Sequence, residues 1–187
     1  MTALTQTKSF SPLNLQSRSL AVKIFAVLFG TLVLAITSRI EVPMIPVPIT
    51  LQTLVVPMVG AIYGARLGTT TVLAWLAEAF VGFPVLAGGA GGVAHFAGPT
   101  AGYLVSFPII AAVTGFLAER GWNGRRVALA FLAFLLANAL CLVIGAAWLA
   151  ALIGIEKAIA FGVTPFLLGG LIKSALGAAM LKAATRS

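Results

Sequence analysis

Residues 42–52 read V-P-M-I-P-V-P-I-T-L-Q and lie between two long apolar runs. Pro43, Pro46 and Pro48 each lack an N–H and bias the residue before them toward extended geometry, so the stretch cannot extend either neighbour as a helix. Extended backbone carries unpaired polar groups, which a bilayer tolerates only against protein or around a water-accessible cavity. The stretch therefore predicts the wall of a cavity. Thr50, Gln52 and Thr53 follow at once, uncharged hydrogen-bonding side chains suited to a neutral polar solute.

Working outward, the surroundings of that cavity are apolar almost throughout. Of 187 residues 60% are hydrophobic and 9% charged, and the mean hydropathy is +1.10, far above a soluble domain of this size. The class is an all-α integral membrane protein. The net charge of +8 does not point to nucleic acid, because the basic residues sit at the ends of apolar runs as the positive-inside rule places them. Cys141, a single cysteine, has no intramolecular disulfide partner and reads as packing. With one His, it cannot make a metal site.

Six apolar runs follow one another at 21–40, 51–64, 67–81, 100–117, 127–151 and 165–181, each near the ~20 residues that cross a ~30 Å hydrocarbon core, although the second and third are short. Only a turn at 63–66 separates those two, which predicts a tight helical hairpin. Residues 1–20, Ser/Thr/Gln-rich with Lys8 and Arg18, read as a flexible cytoplasmic tail, and 21–187 as one six-helix transmembrane domain. A cleaved signal peptide is disfavoured by the length of the 21–40 run and by the lack of a small-residue cleavage pattern after it. Lys8, Arg18, Lys23, Arg66, Arg120, Arg125, Arg126, Lys182 and Arg186 fall on one side of the six runs, against Arg39 and Lys157 on the other. Cation excess marks the cytoplasm, so both termini are expected inside. The prolines, the loop after the third run and the 153–164 connector then face outward.

That loop reads F-P-V-L-A-G-G-A-G-G at 83–92 and closes with Gly98-Pro99-Thr100. Its glycines permit positive φ and a close backbone approach to a ligand, while Pro99 and Thr100 start the fourth helix. A flexible external linker is the plainer reading. No G-K-[ST] follows, so it is not a phosphate loop, and His95 reads as a loop residue.

Lys173 lies inside the last run, eight residues past Pro165 and so about 12 Å along the helix. A cation there costs several kcal/mol unless it serves a cavity and an anion. Two other readings stand beside that one. The side chain snorkels, or it pairs with Glu78, the one acid well placed for it.

Four ordered motifs carry a resemblance. P-V-P-I-T-L-Q-T at 46–53, G-F-P-V-L-A-G-G-A-G-G at 82–92, F-A-G-P-T-A-G-Y at 96–103 and P-F-L-L-G-G-L-I-K at 165–173 together resemble the BioY family of biotin transporters, the substrate-capturing S components of energy-coupling-factor (ECF) transporters. The resemblance implies a six-helix S-component fold in a bacterial cytoplasmic membrane, with biotin bound beneath the first and third outer loops. It further implies a transmembrane coupling protein and two cytoplasmic ABC ATPases as partners. One departure stands out. Where the family commonly reads P-G-D before two apolar residues and the lysine, this chain has Leu168-Gly169-Gly170, and it contains no Asp at all.

Biotin has an apolar bicycle, a neutral urea edge and a carboxylate, so a site for it needs aromatic and glycine surface, uncharged hydrogen-bonding groups and one cation. The expected substrate-binding residues are Lys173 for the carboxylate, Tyr103, Phe83 and the backbone of Gly88, Gly89, Gly91 and Gly92 for the bicycle and its polar edge, and Thr50 and Gln52 for the remaining hydrogen bonds. Glu78 is a candidate replacement for the missing acid. Ala26 and Gly30 form a small-xxx-small pair on the first helix, which under the resemblance is a docking face for the coupling protein. No cofactor and no metal are expected, and association with further copies of the chain stays open. An enzyme is excluded by the lack of any nucleophile–base or metal constellation, and a pure membrane scaffold has no use for Lys173 beside a polar cluster. Another small carboxylate-bearing vitamin is the alternative ligand, and the chain has no ATP-binding motif of its own.

Overall fold

In a computed structural model describing residues 15–185, the first apolar run forms α1 (Leu20–Ser38). The prolines then take over the chain. Residues 39–51 form a short hairpin in which β1 (Glu41–Val42) pairs antiparallel with β2 (Ile49–Thr50), Glu41 opposite Thr50 and Val42 opposite Ile49. Then come α2 (Gln52–Tyr63), α3 (Ala65–Phe80), α4 (Ala101–Glu119), α5 (Val127–Ile153), α6 (Ile155–Gly162) and α7 (Phe166–Ala184). Residues 1–14 of the expected tail, including Lys8, and also Arg186 lie outside the described residues. The rest of that tail is not free: Leu15 is buried against Ala26, Val59 and Tyr63.

α1, α4, α5 and α7 are long and apolar enough to cross a membrane. α2 and α3, at 12 and 16 residues, reach only about 18 and 24 Å at 1.5 Å per residue. They form the predicted hairpin around Gly64, and the carboxylate of Glu119, at the end of α4, accepts from the Ala65 N–H at 2.9 Å. That interaction satisfies an orphan donor at the start of α3 and sets a negative charge at its positive end. The 153–164 connector, a loop between the last two apolar runs by the sequence pattern alone, is mostly helical. Gly154 ends α5, and the short α6 folds back on it, with Ala158 buried.

The side chains are arranged for lipid outside and close contact inside. Phe25, Leu28, Leu32 and Ile36 of α1 are exposed. Meanwhile Thr31, Ser38, Thr71, Ser106, Thr114, Asn138 and Ser174 are buried, each donating to a carbonyl of its own helix. Polar side chains inside a bundle that satisfy themselves on the backbone are what an apolar solvent demands.

The connections also segregate. At one end the α2–α3 turn meets the end of α4, and Gly124 packs against Leu181 and Thr185 at the end of α7. Arg66, Arg120, Arg125, Arg126 and Lys182 belong to these segments. At the other end lie the β hairpin, the 81–100 loop and α6, with Arg39 and Lys157.

Ala26 and Gly30 face α2 and α3. Ala26 is 7% exposed and packs with Val59 and Tyr63, while Gly30 leaves room for Thr71 and the Tyr63 ring. The small residues let α1 approach its own α2 and α3, and the pair forms the floor of an apolar groove of about 560 Å³ flanked by Phe25, Phe29 and Met58. Ala26→Trp is therefore expected to lower stability by about 1–3 kcal/mol through overpacking, read as a lower thermal midpoint in detergent. An unchanged midpoint would return this face to docking.

Candidate binding site

The end of the proline stretch does form a cavity wall, through Pro48 and its neighbours, whereas Pro43 and Pro46 lie outside the lining. A chamber of about 250 Å³ is lined by Val47, Pro48, Ile49, Thr50, Gln52 and Thr53 from the hairpin and the start of α2. Leu86, Ala87, Ala90 and His95 close it from the 81–100 loop. Thr100, Tyr103, Leu104 and Phe107 come from the start of α4, Asn138, Cys141 and Leu142 from α5, and Phe166, Gly170 and Lys173 from α7.

Lys173 is half-buried on α7. Its ammonium crosses to the end of β2 and the start of α2, donating to the Thr50 carbonyl at 2.6 Å and to Thr53 Oγ1 at 3.0 Å. An ammonium has three hydrogens, so two are spent on protein and one is left for the chamber. Glu78 is not among the lining residues. The ion pair allowed by the sequence is replaced by neutral acceptors from β2 and α2, and no carboxylate among the described residues lines the chamber beside the lysine.

Thr50 joins two site residues. Its carbonyl takes the Lys173 proton, while its hydroxyl donates to Gln52 Oε1 at 3.1 Å and accepts from the Gln52 N–H at 3.3 Å. Gln52 is 4% exposed, and its Nε2 has no hydrogen-bond partner among the described residues. A buried donor left unmatched costs about 1–3 kcal/mol, which a ligand acceptor would recover. The Tyr103 ring stacks on Phe166 with centroids 6.3 Å apart, and its hydroxyl donates to the Gly162 carbonyl at 2.8 Å. α6 thus holds this aromatic wall in place.

The glycine-rich loop is tied down. The Val85 carbonyl accepts from Ser38 Oγ at 2.8 Å and Trp75 Nε1 at 3.1 Å, the Pro84 carbonyl from Arg39 at 2.7 Å, and the Ala79 carbonyl from the Gly92 N–H at 2.7 Å. The glycines themselves do not line the chamber, which corrects the expectation for Gly88, Gly89, Gly91 and Gly92. Their work is on the loop's outer side. Gly89, at φ 76°, leaves room for the Arg39 guanidinium, and a Cβ on Gly91 would strike the Phe83 carbonyl. Leu86, Ala87 and Ala90 are turned inward in their place. Phe83 is 60% exposed and also lies outside the lining.

Sequence reasoning does not place Phe107, Phe166 or Asn138 in the lining, and His95 is the loop residue it is expected to be, although it also borders the chamber. Asn138 was legible: it is the only amide in the apolar run of α5, and an amide inside a span calls for a reason much as a charge does.

Comparison with known proteins gives a consistent set of matches. The model of a family described as the BioY family matches residues 6–187. A protein of Rhizobium etli named biotin transporter BioY is 38% identical over 169 residues, covering 86% of this chain and 90% of that one. One of Pyrococcus horikoshii, named probable biotin transporter BioY, is 36% identical over 141 residues, covering 75% and 82%. In three dimensions the chain superposes with TM-score 0.80 and 27% identity on a crystal structure of the S-component for biotin from an ECF-type ABC transporter, covering 91% of this chain and 96% of that one.

Proposed function

Because the chain belongs to the BioY family, we infer that it takes up biotin as the substrate-capturing S component of an ECF-type transporter, with no catalytic chemistry of its own. The single observation that supports this best is the chamber, in which apolar and aromatic walls surround uncharged hydrogen-bonding groups and one ammonium with a hydrogen to spare. In that reading Lys173 meets the carboxylate, Tyr103 and Phe166 flank the bicycle, and Gln52 supplies a donor held in position by Thr50.

The finer topology is part of the same proposal. α1, α2, α3, α4, α5 and α7 are the six spans of a multi-pass protein of a bacterial cytoplasmic membrane, with both termini inside. The arginine-rich end then faces the cytoplasm, where the cation excess belongs, and α6, the hairpin and the glycine loop face outward. Release inward requires a transmembrane coupling protein and two ABC ATPases, since this chain offers no nucleotide-binding motif.

Isothermal titration of the isolated protein in detergent should give saturable, tight binding of biotin. Absence of heat with biotin, together with saturable binding of a different carboxylate-bearing vitamin, would transfer the site to that ligand.

A further inference from the structure

α6 presents more apolar surface than its packing on α5 uses. Its buried stripe is Ala158 and Gly162, one turn apart. Helical geometry puts Ile155 and Ile159 on one side of that stripe and Phe161 on the other, while Glu156 and Lys157 point away from it. Ile155, Ile159 and Phe161, together with Leu152 at the end of α5, are between 48% and 62% exposed. The apolar arc of α6 is therefore wider than the strip that the protein covers.

The position of α6 along the bundle says what meets the rest of that arc. α5 has 27 residues, about 40 Å of helix against a hydrocarbon core of about 30 Å. With Arg125 and Arg126 at its start, its far end emerges into the headgroup region, where Gly154, at φ 86°, turns the chain into α6. Trp148, six residues before that turn, is partly exposed and donates its indole N–H to the Gly98 carbonyl at 2.9 Å. An apolar ring with a satisfied polar tip suits the membrane boundary. The exposed side chains of α6 also continue the apolar exterior of α5, which carries Leu132, Leu136 and Val143.

α6 is tied in turn to the chamber. The Gly162 carbonyl accepts from the Tyr103 hydroxyl, and a Cβ at 162 would meet that oxygen and Leu149. Four residues later Phe166 stacks on the same ring, so the seat of α6 sets both aromatic walls. We propose that α6 is an interfacial helix resting on the outer lipid surface, with Ile155, Ile159 and Phe161 at the acyl–headgroup boundary and Glu156 and Lys157 in water, and that the bilayer, through Gly162, holds Tyr103 in its binding position. The inference rests on the outward placement of α6 in the topology proposed above.

The test uses the purified full chain in vesicles of phosphatidylcholine and phosphatidylglycerol, with a bimane label on Ile159→Cys or on Lys157→Cys. The unsubstituted chain, whose Cys141 is 1% exposed, is the labelling control. Lipids brominated near the headgroup end of the acyl chain should quench the label at 159 more than aqueous iodide does, and the order should reverse at 157. Stronger quenching at 159 by iodide would overturn the proposal by placing that side chain in water. Quenching there by neither would overturn it by placing a protein surface, such as a second copy of the chain, over it. In nanodiscs, Ile155→Ser combined with Ile159→Ser should weaken biotin binding about 3- to 10-fold, the span of one neutral hydrogen bond. The same pair should have no such effect once Tyr103→Phe has removed the link. Unchanged affinity in the paired variant, or an equal loss with and without the Tyr103 hydroxyl, would overturn the coupling. In intact cells Lys157→Cys should react with a membrane-impermeant maleimide. Reaction only after lysis would refute the outward topology on which the proposal rests, and a wild type that binds no biotin would refute the proposed function instead.

Discussion

Lys173→Met should lower biotin affinity by more than about 30-fold. The methionine keeps an apolar stem of similar length but removes the ammonium, so a ligand carboxylate entering the chamber would find no opposite charge. Leaving a buried charge unpaired costs roughly 2–5 kcal/mol, and each 1.4 kcal/mol is a factor of ten in affinity. The structure adds a second consequence. The same ammonium ties α7 to the start of α2 through Thr50 and Thr53, so some of the loss would come from loosening that junction. Biotin methyl ester separates the two. Wild type should bind the ester poorly, whereas the variant should discriminate far less between ester and acid. If Lys173→Met bound biotin like wild type, Lys173 would be a strap between helices and the carboxylate would have another partner.

Gly60→Ala should be the most damaging single methyl addition in the bundle, costing about 3 kcal/mol, the upper end of ordinary overpacking. A Cβ on Gly60 would strike the carbonyl of Ala111 in α4, and Gly60 also has backbone neighbours at Gly68 of α3 and Gly115 of α4. Three helix backbones meet there with no side chain able to give way. Gly169→Ala is the matched control, since a Cβ at 169 has nothing within 4 Å. It should be neutral or gain up to about 1 kcal/mol from helix propensity. Thermal unfolding in detergent with and without biotin checks both, and equal midpoints for the two variants would mean that the α2–α4 contact is loose.

Much of this bundle was legible because the bilayer constrains sequence so strongly. Runs of apolar residues gave α1, α4, α5 and α7, and three prolines gave the non-helical stretch whose end, at Pro48, lines the chamber. α6 escaped because eight residues containing Glu156 and Lys157, preceded by Gly154 and ending on Gly162, look like a connector, and their helicity depends on packing against α5. Lys173 was found because charge at membrane depth is rare. Its partners were not, because a lysine side chain is long enough to reach α2, and a backbone carbonyl such as that of Thr50 leaves no mark in a sequence. The glycine loop misled in an instructive way. Glycine content says that backbones come close, yet the close approach here is to Arg39 and Phe83, and the chamber receives the less conspicuous Leu86, Ala87 and Ala90.

The shortness of α2 has a consequence for the ligand's charge. Because the prolines delay its start until Gln52, a 12-residue helix begins partway into the bundle, and its first residues, Gln52 and Thr53, line the chamber. The aligned peptide dipoles of a helix leave about half a positive elementary charge at its N-terminus, and in a low-dielectric interior such a partial charge is felt more strongly than in water. α2 thus points its positive pole into the same space as the Lys173 ammonium. The electrostatic potential that favours an anion there is built jointly by a side chain of α7 and the backbone of a truncated helix, and the backbone's share persists when the lysine is replaced.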